Sequence, residues 1–160
     1  MHPGLAAIGV ATIVLHNPMV FPAEMLEAHN QARAAAGVPP LVWDEALSTE
    51  AEAYAKQLAA SGQFRHSGAE GQGENLWRGT RSAFSYRQMA RAWTAEAAYY
   101  RHGPFPDVSA TGRWQDVGHY TQLVWRDTTR LGCGLASGRQ WDVLVCRYAP
   151  QGNWIGRRAY

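Results

Sequence analysis

Residues 131–148, LGCGLASGRQWDVLVCRY, set two cysteines on either side of a turn-forming stretch, and this restricts the fold more than any other segment. Read as an antiparallel hairpin turning at 138–140, the segment puts Cys133 opposite Cys146, Leu135 opposite Leu144 and Ser137 opposite Asp142. One face keeps a sensible register, which a slip of one residue would invert. Cysteines facing each other across two strands form a disulfide in an oxidising compartment; in a reducing one they stay buried thiols. The register and the N-terminal segment together favour the disulfide, and with it export.

Residues 5–15, LAAIGVATIVL, are uncharged and apolar, too short to span a bilayer and of the length of a signal-peptide core. The preceding MHPG carries no Lys or Arg and no clean A-x-A site follows, so an extra N-terminal helix or strand is the alternative. The expectation is a leader over residues 1–20 and a mature protein without a transmembrane segment, extracellular or periplasmic.

A chain of 160 residues fits one domain around a single core. The net charge of +2 and the lack of Arg/Lys clusters interleaved with aromatics argue against nucleic acid as a partner. Seven tryptophans are many for this length, and core or cavity-wall positions account for most of them. Lys56 is the only lysine, a bias that carries no functional weight.

Helical patterns come first. One runs from Ala23 to Ala36 and is ended by Gly37 and Pro39-Pro40; a second is capped by Asp44, with Leu47, Ala51, Tyr54 and Leu58 on one face. Residues 61–83, rich in Gly, Ser, His and Arg, read as a long ordered loop, and a third helix runs over about 85–100. A Gly/Pro segment (102–118), the stretch GHYTQLVW (118–125) and the hairpin follow. Helices first and an antiparallel sheet later define an α+β fold.

In the third helix Tyr86, Met89, Trp93, Glu96 and Tyr100 share one stripe, so Glu96 lies on the face turned to the core. A carboxylate there must be paired, hydrogen-bonded, protonated or metal-linked, because burying it alone costs several kcal/mol. A structural acid holding backbone donors or an arginine satisfies that demand as well as a functional one does. Glu74 in GENLW can simply cap a turn, and His66 in RHSG reads by itself as a surface histidine. His119 opens a segment that ends apolar, which sets a titratable ring at the edge of the core.

HNQARAAAGVPPLVWDEAL (29–47), HS (66–67), GENLW (73–77), AWTAE (92–96), GHYTQLVW (118–125), GCG (132–134) and VCRYAPQGNWIG (145–156) occur in the order of the CAP superfamily. The chain resembles that superfamily, which comprises cysteine-rich secretory proteins, antigen-5 proteins and plant pathogenesis-related class 1 proteins, over residues 22–156, leaving 157–160 as a short tail. The resemblance implies a three-layer α-β-α sandwich with a small central antiparallel sheet and an open cleft. It implies a cleft tetrad of His66, Glu74, Glu96 and His119, with the two histidines as ligands for zinc or another divalent cation, reversibly bound. Neutral imidazoles suit such an ion, and a site built on them weakens below the ordinary histidine pKa of about 6.5. Two His–Glu pairs that only brace the cleft floor are the alternative. Val117 stands where many eukaryotic members carry a cysteine, and the cysteine-rich C-terminal extension of the secretory branch is lacking, so the chain resembles a minimal, bacterial-type member.

Two main functions, with a third behind them, follow from this reading. The favoured one is a secreted, monomeric binding module taking up a small ligand, with lipids as family precedent; the tryptophans and the loop HGPFPDVSATG would line its groove. The other is a metal-assisted hydrolase, protease or esterase, with Glu74 or Glu96 as general base and Ser67 beside His66 as a conceivable nucleophile. No HExxH or G-x-S-x-G supports it. A cell-envelope or host-interaction role without catalysis is a third option.

Overall fold

The computed structural model describes residues 12–160, so the leader expectation for residues 1–11 lies outside the described residues. Within residues 12–20, Val14 donates its N–H to the Ser82 carbonyl, and the His16 ring donates to the Phe84 carbonyl and stacks on Tyr86.

Local chemistry starts and stops the helices largely where the sequence signals them. α1 (Phe21–Ala35) has Pro22 in its first turn, and Gly37 adopts a left-handed φ of 70° just beyond its end. α2 (Glu45–Ser61) begins where the Asp44 carboxylate accepts the Leu47 N–H at 3.0 Å. α3 (Tyr86–Thr94) opens with a capping box in which Ser85 and Gln88 satisfy each other's backbone donors. Its regular part is shorter than the sequence stripe suggests, because residues Ala95–Tyr99 tighten into a 3-10 turn. GHYTQLVW contributes a further short helix, α4 (Gly118–Leu123).

The strands are β1 (Val42–Trp43), β2 (Gly73–Thr80), β3 (Arg130–Ser137) and β4 (Trp141–Ala149), in the spatial order β1-β3-β4-β2. The β3–β4 hairpin has the expected register, with Cys133 opposite Cys146, Leu135 opposite Leu144 and Ser137 opposite Asp142, and the two cysteines are disulfide-bonded. β2 is a correction to the reading of residues 61–83 as loop throughout: it pairs antiparallel along all but the last residue of β4, from Gly73–Tyr148 to Thr80–Trp141. The two residues of β1 add a parallel edge to this otherwise antiparallel sheet.

Helices cover both faces, which makes the α+β sandwich. On one side Ala51, Ala55 and Leu58 of α2 pack on Leu76, Val143 and Val145. On the other, Met25, Met89, Trp93, Leu123 and Trp125 pack on Leu131, Leu144 and Tyr148. Alternate β4 residues therefore enter opposite cores, which is why VLVCRYA reads as an almost unbroken apolar run. α2 lies directly on the sheet because β3 has glycine beneath it: a Cβ on Gly132 would come within 2.2 Å of the Ser48 nitrogen, and one on Gly134 within 2.2 Å of Glu52.

Arg33 joins α1 to the chain leaving α4. Its guanidinium is fully buried and donates to the carbonyls of Pro39, Leu123, Trp125 and Thr128 at 2.6–2.9 Å. Burial draws its pKa down to about 10, which leaves it charged at neutral pH. Arg33→Met should cost about 3 kcal/mol or more, because several buried carbonyls lose their donor together; urea unfolding followed by tryptophan fluorescence measures it. Replacing both Cys133 and Cys146 by alanine should cost about 3 kcal/mol, the chain-entropy value for a loop of this length. An unchanged melting temperature would show that the hairpin is held by packing alone.

Candidate functional site

β2 and the loop before it build one wall of a cleft, and α4 with the 3-10 turn after α3 builds the other. Glu74 sits near the start of β2, its side chain only 8% exposed. One of its oxygens accepts from the His66 ring Nδ1–H at 2.8 Å and the Ser67 N–H at 2.9 Å; the other accepts from the Ser67 hydroxyl at 2.7 Å. Arg147 on β4 reaches that second oxygen at 3.3 Å and also donates to Gln72. Burial pushes the Glu74 carboxyl upward, but His66, Ser67 and the Arg147 charge outweigh it and hold it below its ordinary value.

The opposite wall repeats the arrangement. His119, second residue of α4, donates from Nδ1 to Glu96 at 2.7 Å, while the other Glu96 oxygen accepts the Tyr120 N–H at 3.0 Å. The His119 ring stacks on Trp93 with centroids 6.0 Å apart. Glu96 is thus half-buried, at the inner edge of the stripe that Tyr86, Met89 and Trp93 bury fully. Gly118 belongs to the helix rather than to a turn, and a Cβ there would press on the Trp114 ring at 3.0 Å.

His66, Glu74 and His119 line one cavity of about 350 Å³ together with Asn75, Phe105 and Trp114. Glu96 stands behind His119. Both Nδ1 atoms are engaged by glutamates, and neither Nε2 has a hydrogen-bond partner among the described residues. The loop HGPFPDVSATG contributes Phe105, whose ring meets Trp114 edge-on at 5.3 Å. Ser67 lies at the site, but its hydroxyl is given to Glu74 and not to a histidine.

Several residues that sequence reasoning passed over hold α4 in place. Asn75 donates to the His119 carbonyl and to the Tyr148 hydroxyl, both at 3.0 Å. Asn153 donates to the Gly118 carbonyl and accepts from Thr121. The Gln122 amide fills a slot that glycine leaves open, since a Cβ on Gly73 would fall 1.9 Å from its Oε1 and one on Gly152 2.9 Å from its Nε2. All four positions lie within the quoted motifs, Asn75 in GENLW, Gln122 in GHYTQLVW and Gly152-Asn153 in VCRYAPQGNWIG, but no local pattern told what their side chains bind.

These features define a class: an α-β-α sandwich with a cleft walled by two His–Glu pairs. The profile described as CAP, Cysteine-rich secretory protein family, matches residues 26–148, and the chain belongs to that family. It is 40% identical over 140 residues to pathogenesis-related leaf protein 4 of Solanum lycopersicum, which covers 87% of this chain and 83% of that protein. It is 37% identical to pathogenesis-related protein 1 of Arabidopsis thaliana, over 87% of this chain and 82% of that one. Among solved structures, NaASP2 with Zn2+ superposes with a TM-score of 0.75 at 27% identity, over 87% of this chain and 84% of that one. BmVAL-1 shares the fold with a TM-score of 0.71 at 20% identity, over 92% of this chain and 84% of that one. No helix among the described residues is long and apolar enough to cross a membrane.

A buried histidine below the cleft makes stability depend on pH. His29 is fully buried, donates from Nδ1 to the Met25 carbonyl at 2.7 Å and accepts at Nε2 from the Tyr148 hydroxyl at 2.8 Å. Burial lowers its pKa from 6.5 to about 4, against the raising effect of the Met25 carbonyl. Between those values the unfolded chain binds a proton that the folded protein refuses. The contribution is therefore complete above pH 6.5 and is lost as pH falls towards 4, by about 3 kcal/mol in all. Urea midpoints across this range check it. His29→Gln keeps hydrogen-bonding capacity without titrating and should flatten the slope.

Proposed function

We propose that this is an extracellular binding protein whose cleft takes a divalent cation such as zinc, reversibly, between His66 and His119, and a small partly apolar ligand beside it. One observation carries the reading: each imidazole is fixed through Nδ1 by a glutamate and borders the shared cavity with its Nε2 free. A carboxylate behind a histidine fixes tautomer and orientation and makes the ring a better ligand. The reading asks for only two protein donors, the imidazoles, since among the described residues no group of three or more His, Cys, Asp or Glu side chains is placed to hold a metal. Such a pair suits an exchangeable ion. That the related NaASP2 was solved with Zn2+ supports the choice of ion. Phe105 and Trp114 supply the apolar wall against which a lipid-like ligand would lie, in a cavity of ordinary ligand size. The disulfide and the secretory family support an extracellular setting.

Binding is favoured over hydrolysis because the candidate bases are already occupied. Both Glu74 oxygens accept hydrogen bonds and Arg147 holds the group ionised, while Glu96 is shared between His119 and a backbone N–H. Zinc titration calorimetry near neutral pH should show binding to the wild type and none to His66→Ala or His119→Ala with the fold retained. Glu96→Gln should weaken binding by roughly 10- to 100-fold, as loss of an outer-shell carboxylate does elsewhere. Equal affinity in the wild type and both histidine variants rules out the shared site. Turnover of peptide or ester substrates that disappears in Glu74→Gln or Glu96→Gln would make the protein a hydrolase instead.

A further inference from the structure

A second concavity lies apart from the histidine cleft. A groove of about 630 Å³ lies at the far end of the β3–β4 hairpin, and it shares no residue with the cavity lined by His66 and His119. Its walls are the last turn of α2, the hairpin turn Gly138–Gln140, Trp141 at the start of β4 and Arg78 of β2.

Arg78 is unusual among the arginines here. Its guanidinium lies over both the Phe64 ring, at 5.0 Å, and the Trp141 ring, at 5.2 Å. Among the described residues the arginines paired with carboxylates are Arg87, Arg113, Arg130, Arg147 and Arg157; neither Arg78 nor the neighbouring Arg139 has an acidic partner. Among the described residues the Arg78 guanidinium makes no hydrogen bond either. Stacking between two rings fixes the plane of the guanidinium while leaving its N–H edge free. Much of the side-chain entropy that a bidentate contact to a carboxylate would otherwise lose is thus already spent.

The rest of the lining narrows the ligand. Trp141 in the groove wall is 41% exposed and Phe64, against Arg78 but outside the wall, is 43% exposed, so aromatic surface remains beside the charge. Gln63, Gln140 and Ser61 offer neutral donors and acceptors, and the C-terminal end of α2 presents backbone carbonyls. Aromatic surface, neutral hydrogen-bonding groups and two unpaired guanidiniums suit a molecule with hydroxyls, flat C–H faces and carboxylates. An acidic peptide would use the charges but little of the rest.

We propose that this groove binds an acidic oligosaccharide: a uronate carboxylate pairs with Arg78 and Arg139, while the sugar rings lie along Trp141 and the amides of Gln63 and Gln140. The site is independent of the histidine cleft and of any metal there.

The test uses the full chain, an oligogalacturonate tetramer, the uncharged galactose tetramer and a tetraglutamate peptide, by titration calorimetry and backbone amide shifts at low ionic strength, where such contacts are least screened. The oligogalacturonate should bind and shift amides of residues 61–63, 78 and 138–141. Arg78→Gln and Trp141→Ala, both at exposed positions, should each weaken it by about tenfold or more, while His66→Ala binds as the wild type does. Absence of binding overturns the proposal. So does equal binding of the uncharged tetramer, unchanged affinity in Arg78→Gln, or amide shifts confined to the histidine cleft. Tetraglutamate binding as tightly as the sugar acid would reduce the groove to an unselective anion patch, which also overturns it.

Discussion

A single buried guanidinium carries much of this architecture. Among the described residues Arg33 has no acidic partner; it is neutralised by carbonyl dipoles converging from the end of α4 and the chain that follows. The first of these carbonyls, from Leu123, ends a short helix of six residues that could not persist alone, since isolated helices of that length are unstable in water. α4 in turn bears His119. Fixing the direction of that helix, through Arg33 at one end and Asn75 and Asn153 at the other, fixes where the imidazole points.

The cleft depends on a second electrostatic arrangement, in which the charges stand behind the histidines. Arg147 is almost fully buried beneath Glu74, stacks over Tyr54 and reaches Glu50 at the surface. A buried cation makes the ionised carboxylate affordable, and the carboxylate orients His66. On the other wall no arginine is used: Glu96 takes the Tyr120 N–H in the first turn of α4, where helix N–H groups lack partners, and so joins the helix to the ring it orients. The two histidines thus have similar hydrogen bonds and different supports.

Much of this could be read from the chain. The hairpin register followed from side-chain alternation and the start of α2 from Asp44. The candidate set of His66, Glu74, Glu96 and His119 came from resemblance rather than from spacing; three of the four line the cavity, and Glu96 stands behind His119. β2 was missed because GENLWRGT has only two apolar residues and two glycines, too little alternation to mark a strand; its partner β4 lies nearly seventy residues away. The 3-10 end of α3 was equally hidden. Glu96 fits a continuous α-helical stripe on paper, yet the turn tightens there as its carboxylate engages His119 and the Tyr120 N–H.

Local signals, then, determined α1, α2 and its cap, the start of α3, the hairpin pairing and the cysteine bridge, since each depends on residues close in sequence or on strict alternation. Tertiary structure alone decided which polar side chains are spent and which are free. That Ser67 gives its hydroxyl to Glu74, that Arg33 is satisfied by carbonyls and that Arg78 stays unpaired between two rings are all outcomes of long-range packing. Hydrogen-bonding capacity is a property of a residue. Its availability is a property of the neighbours that the fold brings to it, and chemistry depends on availability.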